Sequence, residues 1–233
     1  DRHYIKQSMA YVIGMAKDEI RGWLHEPLAA ILGTRAKVAV LRVLWRAAAA
    51  IPYREVVRRT GMAYGSVALA LRDLTATGLV EELTGGRERR VALSAAHRFA
   101  PAVSSLLQVD GDYFAGLRIE LRAIARRAED DGLLAAAMVG AAARREEHLG
   151  EAVELVLVTR DRAAVKGVSG RFAAAGEMLR GRFGVDLLLH PYPLDTARQM
   201  WRTRTAAAVA TVRSAESLVG PPLEQLLDGG GPS

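Results

Sequence analysis

The chain has 233 residues, half of them hydrophobic, with 32 Lys and Arg, 26 Asp and Glu, and no cysteine. Absence of cysteine excludes disulfides, thiolate zinc sites and a Cys nucleophile, and it fits a reducing cytoplasm. No stretch reaches the roughly 18–20 apolar residues of a membrane span; residues 9–15 are apolar, but Lys17, Asp18, Glu19 and Arg21 follow at once. The formal net charge of +6 is unevenly spread: residues 1–110 carry 16 Lys and Arg against 10 Asp and Glu, and residues 111–233 carry 16 against 16. Excess positive charge gathered in one half is a first pointer to a nucleic-acid partner there.

In chain order, residues 1–30 read as a helical arm. Tyr4, Ile5, Met9, Val12, Ile13, Ala16, Ile20, Trp23 and Leu24 recur at steps of three and four, and Pro27 closes the run. The arm serves dimerisation or packs on its own domain. Residues 37–50 form the next helix, with Val38, Val40, Leu41, Leu44 and Trp45 inward and Pro52 as the stop. Residues 54–60 follow, with Val56 and Val57 inward and Arg54, Arg58 and Arg59 outward. Gly61 sits where a tight turn needs a residue that tolerates positive φ. Val67, Leu71 and Leu74 give residues 66–77 a packing face, and Gly78 ends that helix. An alternating segment, 79–83, then Gly85-Gly86 and a return strand with Arg87, Arg89 and Arg90 predict a β-hairpin.

The stretch ILGTRAKVAVLRVLW, then REVVRRTGMAYGSVALALRDLTATGLVEE, resembles the winged helix-turn-helix regulators of the ArsR/MarR type over about residues 31–94. The resemblance implies that the third helix enters the major groove and that the wing touches backbone or minor groove. On that basis Ala63, Tyr64, Gly65, Ser66 and Ala68 lie at the exposed start of the reading helix, with Tyr64 and Ser66 as its polar choices. Arg72 meets phosphate further along, and Arg54, Arg58, Arg59, Arg87, Arg89 and Arg90 are phosphate or minor-groove candidates. The first exposed turns of that helix hold no Arg, Asn or Gln, the usual bidentate base readers. Sequence preference then leans on Tyr64, Ser66, thymine-methyl contacts or the wing.

Residues 94–110 read as a joint with Pro101 and a weak helical pattern, and residues 111–131 as a strong helix. Arg118, Arg122, Arg126 and Arg127 on that helix face nucleic acid or, as the preferred reading, form a solvated face. From Leu133 the pattern changes to strands at 134–139, 153–159 and 185–189, a helix at 162–183 ended by Gly184, and a mostly helical stretch at 194–218. The run His190-Pro191-Tyr192-Pro193 is expected to end the third strand as a rigid turn near the mouth of a cleft, and His148 to be a solvated loop residue.

The segment MVGAAARREEHLGEAVELVLVTRD resembles the minimal nucleotidyltransferases, and the likeness extends over about residues 112–227. In that family a Gly-Ser turn holds the triphosphate, and two aspartates one residue apart on a strand share two magnesium ions with a third acid from a later strand. Gly140, Arg144, Glu146 and Leu155 match the motif; Ala141 replaces its Ser, Arg145 its second Gly and Glu151 its later Ser. Ala152 stands at the first aspartate, Glu154 at the second, and Asp186 at the third acid's position. An alanine cannot ligate a metal, so the resemblance implies a nucleotide cleft that has lost its chemistry.

The resulting expectation is an α+β chain. Residues 1–30 are an N-terminal arm, 31–94 a winged helix-turn-helix domain, 95–111 a linker, 112–227 a degenerate nucleotidyltransferase-like domain and 228–233 a disordered tail. The expected function is that of a cytoplasmic, homodimeric transcription regulator of double-stranded DNA, without catalytic residues, metal or cofactor. Its second domain senses a small-molecule or nucleotide effector, or it dimerises or recruits a partner. The alternatives are an active nucleotidyltransferase that uses Glu154 and Asp186 while the winged helix docks its target, and a protein-interaction module that no longer binds DNA.

Overall fold

The computed structural model describes residues 22, 24–25, 35–47, 49–84 and 88–229, and over these the chain is a mixed α+β protein. It divides into two compact units, residues 26–112 on one side and residues 1–25 with 113–233 on the other. Most of the expected arm over 1–30, the Gly85-Gly86 turn with Arg87, and residues 230–233 lie outside the described residues.

In the first unit three helices precede a hairpin. Helix α1 (Arg35–Ala47) is followed by the two-residue strand β1 (Ile51–Pro52), α2 (Tyr53–Thr60), α3 (Tyr64–Ala76), β2 (Val80–Thr84) and β3 (Arg89–Leu93). The turn from α2 to α3 runs through Gly61 at φ 64°, the left-handed conformation expected of it. Strand β1 is a correction: Pro52 does not merely end a helix, and Ile51 pairs with Val91 to complete a three-stranded antiparallel sheet in the order β1-β3-β2. Two residues are too few for a period-2 signal, so this pairing is invisible before folding. Val40, Leu44, Val56, Val67, Leu71 and Val91 meet in the core.

Two differences concern α1 and the segment after the hairpin. Leu41 and Trp45 are only half-buried, while Arg42 is buried. Its guanidinium donates to Asp110 at 2.6 and 3.0 Å, and Asp110 is 4 % exposed. Asp110 belongs to helix α4 (Ala100–Glu129), thirty residues long, which takes up the expected joint at 94–110 from Ala100 onward. Pro101 sits in the first turn, where its missing N–H removes no intrahelical bond, so it starts the helix rather than breaking it. Leu107 is buried against Val38, and Leu41, Trp45 and Val103 pack around the pair. The division between the units falls between residues 112 and 113, inside α4.

The second unit is built on a four-stranded sheet in the order β6-β5-β4-β7. Its elements are β4 (Leu133–Val139), the short α5 (Gly140–Arg144), β5 (Val153–Thr159), α6 (Ala164–Ala174), α7 (Gly176–Phe183), β6 (Leu187–Pro193), α8 (Leu194–Arg202), α9 (Ala206–Ser214), β7 (Glu216–Val219) and α10 (Leu223–Leu227). Strand β4 runs antiparallel to β5 and β7, and β5 runs parallel to β6. Alternation along the strands splits the core. Ala135, Ala137 and Val158 pack with Ala197, Leu223 and Leu226, while Ala136, Met138, Leu155 and Leu157, of opposite parity, are also buried. A sheet covered on both faces reads as a nearly unbroken apolar run, as β4 and β5 do.

Three expectations for this unit change. The helix over 162–183 is two helices, α6 and α7, meeting at Ala175. The stretch 194–218 ends in β7 rather than in helix; there Gly220, at φ 74°, lies so close to the backbone of Leu134 and Ala135 that a β-carbon would clash. The run His190-Pro191-Tyr192-Pro193 is not a turn but the second half of β6. Prolines are tolerated there because β6 is an edge strand. The carbonyl of Asp186 accepts from the Val153 N–H at 2.8 Å, so even-numbered residues of β6 direct their backbone groups to β5. Pro191 and Pro193 therefore lack an N–H on the outer edge, where no ladder bond is lost. Asp228, assigned to a disordered tail, accepts the Trp201 indole N–H at 2.6 Å and pairs with Arg204 at 2.7 Å.

Candidate functional site

Two concavities are lined by the expected site residues, one in each unit. The first is a groove of about 740 Å³ between α3 and the hairpin. Arg54, Arg72 and Arg89 reach its walls, with the rings of Tyr53 and Tyr64, whose centroids lie 5.8 Å apart. Helix α3 presents Tyr64 at 67 % and Leu69 at 53 % exposure, and of the two Tyr64 lines the groove. Ala63, at the N-cap, supplies no side-chain bond, so no side chain of the cap competes for the first N–H groups of α3. Ser66 is half-buried within the first turn of the helix.

The arginines are less free than their sequence positions suggest. Arg58 and Arg59 both bond Glu55, at 2.5–2.7 Å and 2.6 Å. These bonds, Arg58's first and then Arg59's, hold the Glu55 carboxyl down at about 2. Two of the expected phosphate contacts thus share one negative charge on their own helix. Arg54 pairs with Glu88 at 2.8 Å, Arg89 with Glu82 at 3.4 Å and Arg72 with its neighbour Asp73 at 3.3 Å. Arg90 turns away from the groove and donates to the Ala50 carbonyl at 2.6 and 3.2 Å, tying the hairpin to the chain ahead of β1. Arg87 lies outside the described residues. Glu55, Glu82 and Glu88 were the residues that sequence reasoning passed over; their signal was spacing, since Glu55 precedes Arg58 and Arg59 by three and four residues on one helix. All these pairs are exposed at the arginine, and such pairs are readily exchanged for a phosphate oxygen.

The second concavity is a cleft of about 400 Å³ over β5, bounded by β6, α8, α9 and α10. Glu154 lies at its polar end. One carboxylate oxygen is 3.2 Å from His190 Nε2 and the other lies against Gly140, where a β-carbon would collide with it. Gly140 opens α5 at φ 69°, and Arg145 closes it at φ 60°, a left-handed conformation rare for a side-chain-bearing residue. Ala141 is the second residue of α5, and its carbonyl accepts the Glu146 N–H at 2.9 Å. Arg144 pairs with Glu146 at 2.9 Å on the surface. Ala152 is half-buried immediately before β5. Asp186 does not join Glu154 as a ligand pair; its carboxylate is taken by Arg180 of α7, at 2.7 Å from Nε.

The structure thus brings Gly140 and Glu154 together and gives Asp186 to a different partner. His190, which sequence reasoning placed in a turn, is the side chain that joins Glu154. Register explains it: Glu154 pairs with Leu188 across a parallel ladder, so Leu188 and His190 share Glu154's face of the sheet. Among the described residues no group of three His, Cys, Asp or Glu gathers as metal ligands would, and no helix is long and apolar enough to cross a membrane. His148 is half-buried, with its N–H donated to Glu151 at 2.8 Å. No family model, curated protein or solved structure matches the chain.

Proposed function

We propose that the protein is a DNA-binding transcription regulator, that its 26–112 unit is a winged helix-turn-helix reader, and that its other unit is a nucleotidyltransferase-like domain turned to ligand sensing. The observation that carries this reading is the groove beside α3. Tyr64, Ala68 and Arg72 of α3 line a groove shared with the hairpin, Arg54 and Arg89 reach into the same space, and Leu69 is exposed on α3 beyond that lining. Side chains of this kind suit a duplex: guanidinium groups on phosphates, and an aromatic and an aliphatic side chain against base edges and thymine methyls. The neighbouring glutamates give the arginines a resting partner, which a polyanion displaces.

Support for the nucleotidyltransferase-like frame comes from β4, α5 and β5. Gly140 and Arg145 hold left-handed turns at the two ends of α5, and Glu154 follows on the next strand. Two features favour sensing over nucleotide transfer. Ala152 offers no ligand for magnesium, and the Glu154 carboxylate lies over Gly140, where the resembling enzymes seat a triphosphate. A carboxylate in the phosphate seat repels the phosphate.

The test uses the full chain and a duplex selected from genomic fragments. Arg72→Ala with Arg89→Ala is expected to weaken binding to every duplex and to reduce the slope of log K against log salt by about 2, one unit for each phosphate that is no longer neutralised. An unchanged slope would remove the groove from the interface. Tyr64→Ala is expected to narrow the gap between selected and random duplexes by about tenfold, in line with the roughly 1–3 kcal/mol of a good base contact; equal losses on both would refute a reading role.

A further inference from the structure

We infer that the cleft over β5 is a binding site for an apolar organic amine, with its ammonium held by Glu154. This deepens the sensing role proposed above and rests on it only for the effect on DNA, not for binding itself. Val139, Val156 and Val158 from the strands face Trp201, Val212 and Leu227 from the helices, so the body of a ligand would lie between apolar walls. At about 400 Å³ the space suits a small molecule, near the lower end of the ~300–1,000 Å³ of ligand pockets. The far wall is held in place: Trp201 donates its indole N–H to Asp228 at 2.6 Å, and the Arg204 guanidinium lies over its ring at 4.0 Å.

Charge selects the ligand class. Among the described residues Glu154 is the one carboxylate on the lining, and neither lysine nor arginine lines it. A phosphate, carboxylate or nucleotide would enter a half-dry space against that negative charge, with no cation on the described lining to receive it. A carboxylate accepts at about four lone-pair sites, and the His190 imidazole, through Nε2 at 3.2 Å, occupies one of them. An ammonium would take another, with its apolar body directed along β5 toward Trp201. Thr205 and Thr211 on the lining add hydroxyls for a second polar group.

The test is calorimetric titration of the full chain with three probes of one size, 3-phenylpropylamine, 3-phenylpropanol and 3-phenylpropanoate, and with ATP in magnesium. The amine is expected to bind at least about ten times more tightly than the alcohol, and the carboxylate and ATP not at all. Glu154→Gln, which keeps a hydrogen-bonding partner for His190, is expected to abolish the preference for the amine while the alcohol binds as before. Ala208→Phe, which fills the cleft from α9, is expected to remove all binding. Failure of the amine to bind, equal binding of amine and alcohol, tighter binding of ATP, or amine binding that survives Ala208→Phe would each overturn the inference. DNA affinity is measured with the amine present. Amine binding that leaves it unchanged upholds the site and sinks the sensing role alone.

Discussion

The groove beside α3 and the cleft over β5 are both open concavities, and what lines them is opposite in kind. Five arginines at or near the groove meet glutamates or an aspartate at the surface, where water screens every pair. The described lining of the cleft has one carboxylate, one imidazole, the hydroxyl-bearing Tyr192, Thr205 and Thr211, and otherwise apolar walls. A surface of exchangeable ion pairs suits a long polyanion that replaces many weak partners at once. A half-dry cavity with a single charge suits one small molecule that brings the matching charge with it. The same residue types are therefore worth different amounts in the two places, and burial decides the difference.

The largest effect expected from this comparison lies in the ion pair of the 26–112 unit that is removed from water. Asp110→Ala removes the carboxylate that the buried Arg42 bonds at 2.6 and 3.0 Å and is expected to destabilise that unit by more than a surface pair would, about 2–3 kcal/mol in chemical denaturation. A loss as small as that of a surface pair would mean that the Arg42 guanidinium is held without Asp110. Next comes Glu55→Gln, which frees Arg58 and Arg59 from their shared carboxylate. Affinity for random duplexes is expected to rise several-fold and to fall more steeply with salt. A fall in affinity would show that Glu55 positions these arginines rather than occupying them.

The smallest effect is a pH dependence in the other unit. His25 lies against Phe114 at 3.8 Å between ring centroids, and burial, then the charge of Arg145, lowers its pKa to about 4. A histidine kept neutral by the fold contributes stability that is complete above its ordinary value of 6.5 and is lost as the pH falls toward 4. Glu147 acts in the opposite direction: burial raises its carboxyl above the ordinary 4.5, so ionising it lowers stability as the pH rises through that raised value. Thermal unfolding from pH 4 to 8 separates the two. His25→Phe is expected to flatten the acid limb, and Glu147→Gln, whose amide oxygen still accepts the Leu24 N–H, to raise stability at neutral pH. Unchanged profiles in both variants would mean that neither group is held away from water.

Long periodic elements were legible before folding. Val67, Leu71 and Leu74 declared α3, and the apolar run at 153–159 declared β5 with its observed limits. Gly61 and Gly78 announced the turns they make, because only a positive φ accounts for glycine at those points. Strands β1 and β7 stayed hidden because two and four residues carry too little alternation, and their pairing partners are distant in sequence. Of the cleft, Gly140 and Glu154 were legible from spacing. His190 was expected near the cleft mouth, but the prolines beside it disguised a strand and with it the contact to Glu154; Trp201 and Val212 arrive from helices whose placement depends on the whole sheet. The arginine positions of the groove could be read from the sequence, but their glutamate partners across the hairpin depend on strand register, which pairs Glu82 with Val91 and Leu83 with Arg90.

The prolines of β6 have a consequence for assembly. That strand is an outer edge, and its outward positions are Leu187, Leu189, Pro191 and Pro193. Half of the donors that a neighbouring strand would need are missing. The opposite edge, β7, offers only four residues. A second molecule therefore finds little to pair with on either side, and the sheet is protected against growing from one molecule into the next as aggregating β-proteins do. Association through the β6-β5-β4-β7 sheet of this unit therefore falls to side chains rather than to its backbone ladder.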